Sequence, residues 1–236
     1  MEQQFKICKL EKEHKEEALE VMAEAFTTMQ EPMYSLLNIT AEEFKKSIIV
    51  GSDILNGLTT IAIDKSNNKI ASVWVGDDYT DENDFDDDEM PEKIEPLFYL
   101  MDSLEEDYLE KRKIKYEDLK KGQILHIHDV ATRKEYLRKG IGNVCGLFTM
   151  ENAKRLGFSE IIAETTSSKS LAMSLKLGFT EYNSILYKDY EHEGVKYWEK
   201  AEEKFNETKV SVVQMETKDF DLKNFKINSD NFELIF

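Results

Sequence analysis

The sequence predicts a mixed α/β (α+β) domain whose central sheet is mostly antiparallel and flanked by helices. Three observations carry that prediction. Apolar runs with strand and helix periodicity alternate along the chain. Two strand runs, 58–64 and 69–76, are joined only by Ser66-Asn67-Asn68, which makes them a hairpin and forces an antiparallel pair. One stretch, 125–156, passes from a short strand through a basic glycine loop into an amphipathic helix. At 236 residues the chain reads as one domain over 1–217, with an acidic loop and helical insertion at about 77–121 and a C-terminal tail at 218–236.

The elements follow in order. Phe5–Leu10 alternates apolar residues with lysines and reads as the first strand. Ala18, Val21, Met22, Ala25 and Phe26 make one stripe of a helix from about Glu13 to Thr27, which Glu31-Pro32 ends. Thr40-Ala41-Glu42-Glu43 is a capping box opening a second helix to about Val50. The hairpin follows, with Trp74 expected in the core. Asp84, Asp86, Asp87, Asp88 and Glu89 form an acidic run without the central glycine of a calcium loop, so it reads as a solvated loop. Ile94, Leu97, Phe98, Met101, Leu104 and Tyr108 give a helix to about Lys111. The central strand is 123–132 and its helix 140–156. A strand at 159–164, a short helix at 167–177 and strands at 179–187 and 210–215 complete the pattern. The segment 221–236 shows no clear partner and is expected to pack back through Phe225, Phe232 and Phe236.

Composition narrows the functions. Hydrophobic residues make up 41% of the chain, enough for a real core, and the net charge is −17. That charge argues against nucleic acid and against anionic membrane surfaces, and it favours cationic small molecules. Two cysteines make no disulfide framework. The N-terminus lacks a signal-peptide pattern, and no window approaches the ~18 consecutive apolar residues of a membrane span. A cytoplasmic protein, monomer or homodimer, is expected.

Arg138-Lys139-Gly140-Ile141-Gly142 before a helix N-terminus is a phosphate cradle, because the N–H groups there are unpaired and the helix dipole is positive. A P-loop is excluded by the absence of Gly-Lys-Ser/Thr, and a dinucleotide fingerprint lacks its third glycine, with Cys145 in that place. The loop resembles instead the Arg/Gln-x-x-Gly-x-Gly/Ala loop of the GNAT acetyltransferase superfamily, with Leu137 where the family prefers Arg or Gln. Leu175-Lys176-Leu177-Gly178-Phe179 is similar to the family's helix-to-strand passage, with Ser174 where many members carry tyrosine. Four further places resemble arylalkylamine N-acetyltransferases and their insect-type relatives: 31–44, 96–104, the paired-histidine strand 125–128, and Tyr187-Lys188-Asp189-Tyr190. The resemblance implies the GNAT fold, acetyl-CoA as cosubstrate and no metal. It implies that backbone groups of Val130, Ala131 and Thr132 hold the pantetheine arm. It implies that Leu137, Arg138, Lys139, Gly140, Ile141, Gly142 and Asn143 form the pyrophosphate loop.

Acetyl transfer to an amine requires deprotonation of a group titrating near ~10.4. His126 and His128, two apart on a strand, project to one face and form a candidate paired base relaying through water. Glu31 competes as the base, with Thr166 and Ser170 as hydroxyl partners, by likeness to the insect-type enzymes. Cys145 falls on the helix's apolar stripe and reads as core. His14 and His192 sit in charged surroundings that do not suggest metal. The expected function is acetyl-CoA-dependent N-acetylation of a small primary amine, an arylalkylamine or a polyamine. The alternatives are a protein or peptide N-acetyltransferase and a catalytically weak acyl-CoA-binding module.

Overall fold

A computed structural model describes residues 3–28, 31–81, 90–227 and 230–236. The acidic run at 84–89 lies outside the described residues. Eight strands form one sheet: β1 (Phe5–Lys9), β2 (Thr60–Asp64), β3 (Lys69–Asp78), β4 (Ile124–Thr132), β5 (Glu160–Thr165), β6 (Thr180–Leu186), β7 (Lys209–Glu216) and β8 (Phe232–Leu234). Their order is β6-β7-β5-β4-β3-β2-β1-β8. β4 runs parallel to β5 and β1 to β8, and the remaining pairs are antiparallel. The mixed, mostly antiparallel sheet is therefore as expected. The hairpin turn closes through Asn68, whose φ of 57° suits asparagine.

Helices cover both faces, so consecutive residues of the inner strands are apolar rather than alternating. On one face pack α1 (Lys15–Thr28), α2 (Pro32–Leu36), α3 (Ala41–Gly51) and α4 (Glu95–Arg112), with Ile61, Ile63, Val73 and Val75 beneath them. On the other lies α5 (Ile141–Leu156), over Ala62, Ala71, Trp74 and Leu125, with α6 (Ser168–Lys176) near its end of the sheet. The short α7 (Ala201–Phe205) precedes β7. Gly146 explains how α5 comes so close: a Cβ there would lie 2.6 Å from the indole of Trp74. The Thr40–Glu43 capping box is present, with the Thr40 hydroxyl accepting from the Glu43 N–H. Among the described residues no helix is long and apolar enough to cross a membrane.

Two irregularities in β4 shape the sheet. Its parallel pairing with β5 stops at Ile127–Ala163, although both strands continue, so they part and open a wedge. Against β3, Val75 pairs with Asp129 and Gly76 with Ile127, so His128 is the extra residue of a β-bulge.

The C-terminal segment packs back through Phe225, Phe232 and Phe236, as expected, but it also contributes a strand that was not expected. Phe232–Leu234 adds to the sheet as β8, and Phe232 stacks on Phe5 at 5.6 Å. Phe236 stacks on Phe148 at 4.5 Å and Phe225 on Phe220 at 5.7 Å. A three-residue strand is too short to show a period of two in sequence. α2 was also unforeseen: Glu31-Pro32 does interrupt the helix before it, but it also starts the next one, with proline at N1 and glutamate as the cap.

Candidate active site

The wedge between β4 and β5 leads to the start of α5. Gly140 caps that helix in the left-handed conformation, φ 79°, and no side chain caps it. The first intrahelical bond runs from the Val144 N–H to the Gly140 carbonyl at 3.1 Å. The N–H groups of Ile141, Gly142 and Asn143 therefore point out of the helix end without intrahelical partners. A Cβ on Gly142 would sit 3.1 Å from Thr132 Oγ1, so the loop lies against the end of β4. Leu137 is 44% exposed. The residue that holds the loop is Tyr136, which the sequence reading passed over. Its hydroxyl donates to Asp64 Oδ2 at 3.1 Å and accepts from Asn67 Nδ2 at 3.0 Å, and Lys139 Nζ lies 5.1 Å from its ring centre. Beyond Ile127, among the described residues, no strand pairs with the β5-facing edge of β4, where Val130, Ala131 and Thr132 lie.

On the α1–α4 side of the wedge is a cavity of about 350 Å³. Phe26, Tyr34, Leu97, Phe98 and Met101 give it apolar walls, and Asp77, Glu105, Asp129 and Glu164 give it acidic ones. His126 and His128 enter it together, as their spacing predicts, with ring centres 5.8 Å apart. Each is engaged by carboxylates. His126 Nε2 lies 2.6 Å from Glu164, and Nδ1 lies 3.8 Å from Asp77. His128 Nδ1 lies 2.9 Å from Asp129, and Nε2 lies 3.3 Å from both Asp77 and Ser52 Oγ. Burial opposes a charge on these rings, but the carboxylates outweigh it and push His126 up to about 9 and His128 up to about 10. Burial also pushes Glu105 up to about 7, against the pull of His126. One ligand atom from each of Glu105, His126 and Glu164 lies within 4.8 Å of the others.

Glu31 is placed by α2. Its Oε2 caps the helix, accepting from the Tyr34 N–H at 2.8 Å. Its Oε1 is buried and has no hydrogen-bond partner. Burial pushes the carboxyl from an ordinary 4.5 up to about 7, with the Tyr34 N–H and the Thr166 side chain acting in the opposite direction. α2 itself is pinned from below, where Trp198 Nε1 donates to the Met33 carbonyl at 3.3 Å. Thr166 is held in turn by the Tyr187 hydroxyl, which donates to its carbonyl at 2.6 Å. Ser170 is placed differently: with Ser167 it forms the capping box of α6, accepting from the Ser167 N–H at 3.1 Å. Cys145 is buried, as expected. His192 stacks on Tyr99 at 4.5 Å and does not line the cavity.

Sequence reasoning missed Asp77, Glu105, Asp129 and Glu164. Glu164 carried a signal, being a carboxylate at the end of an isoleucine-rich strand. Asp129 carried none, because strict alternation puts it on the face opposite His128. The bulge puts both on the cavity side.

No protein-family profile matches the chain, and no curated protein sequence matches it. Solved structures do. The C-terminal condensation domain of Ebony, in complex with β-alanyl-dopamine, superposes with a TM-score of 0.75 at 15% identity, over 91% of this chain and 99% of that one. Arylalkylamine N-acetyltransferase 2 from Aedes aegypti gives 0.72 at 16% identity, over 90% and 99%. A polyamine N-acetyltransferase of Drosophila melanogaster, which forms N-acetylagmatine, gives 0.70 at 14% identity, over 90% and 99%. With its parted β4 and β5 and the uncapped helix beyond them, the chain has the fold of the GNAT N-acetyltransferases.

Proposed function

We propose that the protein is an acetyl-CoA-dependent N-acetyltransferase of small primary amines, with Glu31 as the general base. The observation that carries this reading is the Glu31 carboxyl: buried, titrating at about 7, with one oxygen unpartnered and the cavity-lining Thr166 side chain against it. A base serves best when its pKa lies near working pH. Neither histidine is free in that way, since carboxylates hold both rings.

The cosubstrate fits the other half of the site. The exposed N–H groups at 141–143 suit a pyrophosphate, with Arg138 and Lys139 adding charge. The glycine at 142 lets the helix start sit close against the end of β4, since a Cβ there would lie 3.1 Å from Thr132 Oγ1. The free edge at Val130, Ala131 and Thr132 offers strand-type hydrogen bonds to the pantetheine amides. The thioester then lies in the wedge near Thr166 and Glu31. Glu31 takes a proton from the bound ammonium. The amine nitrogen attacks the thioester carbonyl, the C–S bond breaks, and the sulfur leaves as thiolate and takes up the proton that the attacking nitrogen sheds as it becomes an amide. The products are the N-acetylamine and coenzyme A. Thr166 orients the Glu31 carboxyl, and Ser170 supports the fold of α6.

The walls suit an arylalkylamine or a polyamine, and a cavity of about 350 Å³ is of small-ligand rather than peptide size. The test is a thiol-release assay with acetyl-CoA over aromatic monoamines, aliphatic diamines and peptides. Turnover of small amines and not of peptides is the expected result. Acetyl-CoA at 100 times its Kd should also add about 2.7 kcal/mol of stability. Stabilisation without turnover of any amine would leave an acyl-CoA-binding module, and neither effect would sink the family reading as well.

A further inference from the structure

We propose that Glu105, His126 and Glu164 form a second cation subsite, and that the preferred acceptor is an α,ω-diamine acetylated at one end. This rests on the acetyltransferase reading above and goes further by naming the acceptor class. Two buried carboxylate oxygens of the site have no hydrogen-bond partner, Glu31 Oε1 and Glu164 Oε1. The Glu164 side chain is only 6% exposed. A buried carboxylate oxygen without a donor is costly, so each marks a place where a ligand N–H belongs. Glu31 accounts for the reacting amine. Glu164 calls for a second donor.

The spacing fits one molecule. Glu164 and Thr166 are two residues apart at the end of β5 and both line the cavity, and the Thr166 side chain reaches Glu31 behind it. Two residues of strand advance about 6.6 Å. An extended chain of about four or five methylenes spans that distance between its nitrogens. Leu97, Phe98 and Met101 supply apolar wall for the methylenes. Among the lining residues there is no lysine or arginine, so carboxylates outnumber the two imidazoles.

The same cluster could be read as a metal site, and the hydrogen bonding favours an ammonium. His126 Nε2 is already committed to Glu164 Oε2 at 2.6 Å. An ammonium brings three N–H donors to Glu164 Oε1 and Glu105 and leaves that bond in place. A metal ion would have to break it.

The experiment compares cadaverine with hexylamine, which has similar length and no second nitrogen. For the wild-type enzyme kcat/KM should favour cadaverine by about 10–100-fold, because rejecting the analogue leaves a buried polar group unpaired. Glu105→Gln and Glu164→Gln should each lower that ratio at least about tenfold. Equal use of the two amines by the wild type overturns the subsite and leaves the acetyltransferase reading intact. Turnover of neither amine overturns both. If the variants do not fold, calorimetric titration of the wild type with each amine, coenzyme A present, replaces them, and equal affinities overturn the proposal. Saturable binding of Zn²⁺ or Mn²⁺ alone, with turnover indifferent to the second nitrogen, makes the cluster a metal site and also overturns it.

Discussion

Replacing Glu31 by glutamine should raise the stability of the protein and abolish most of its activity. The carboxyl titrates at about 7 in the folded chain against an ordinary 4.5, because burial disfavours its charge. The folded state therefore holds this proton more tightly than the unfolded state does. Between those two values stability falls as pH rises, and above about 7 the loss is complete. The difference is about 2.5 pH units, and at about 1.36 kcal/mol each the loss is about 3 kcal/mol. Glutamine keeps an oxygen for the Tyr34 N–H and does not titrate. The stability difference between Glu31→Gln and wild type should thus swing in favour of the variant by about 3 kcal/mol between pH 4.5 and pH 8. For a chain of this size that is a relative rise in Tm of about 6–12 °C. Other titrating groups are common to both proteins and cancel in the difference. Calorimetry or denaturant melts across this pH range read it directly. Activity should move the opposite way: wild-type kcat/KM climbs with pH and levels near 7, whereas the variant loses about 10²–10⁴-fold in kcat. Parallel stability curves would refute the buried, ionising carboxyl, and unchanged turnover would refute its role as base.

Two further expectations concern packing. Gly146→Ala places a Cβ 2.6 Å from the Trp74 indole, a rigid neighbour, and should cost about 1–3 kcal/mol in denaturant unfolding. Removing residues 230–236 strips Phe232 from Phe5 and Phe236 from Phe148, and should cost about 3–5 kcal/mol, with a fall in Tm.

The elements with long, regular periods were legible in the sequence. α1 and α4 each bury one stripe, α5 is buried nearly all round over 144–150, and the Ser66-Asn67-Asn68 hairpin and Thr40 capping box rest on local chemistry that tertiary context did not override. The glycine turn into α5 was legible because glycines and a helix start are local too. The acidic half of the site was not. Glu105 reads as one more polar residue on the outer face of α4, and only the docking of α4 over β4 and β5 turns it inward. Asp77 ends a strand and resembles the start of the acidic loop. The histidines were found, but most of their carboxylate partners come from other elements, Asp77 of β3 and Glu164 of β5, the latter 38 residues from His126 and the former further still, so their charge state was invisible. β8 was missed because its pairing with β1 joins the two ends of the chain.

The extra residue at His128 shifts the phase of β4 partway along its length. Before it, Ile124, His126 and His128 face the α1–α4 side of the sheet; after it, Asp129 and Ala131 do. Val130 and Thr132 are thereby turned to the α5 side, where Thr132 meets Gly142. One strand thus serves both faces of the sheet, sending His126, His128 and Asp129 to the cavity and Thr132 to the start of α5. A strand of strict alternation would present Ala131 to the phosphate loop and a threonine hydroxyl to the amine. Insertion or deletion of a single residue here would exchange the two, so the length of this strand is a more stringent requirement on the site than the identity of most residues in it.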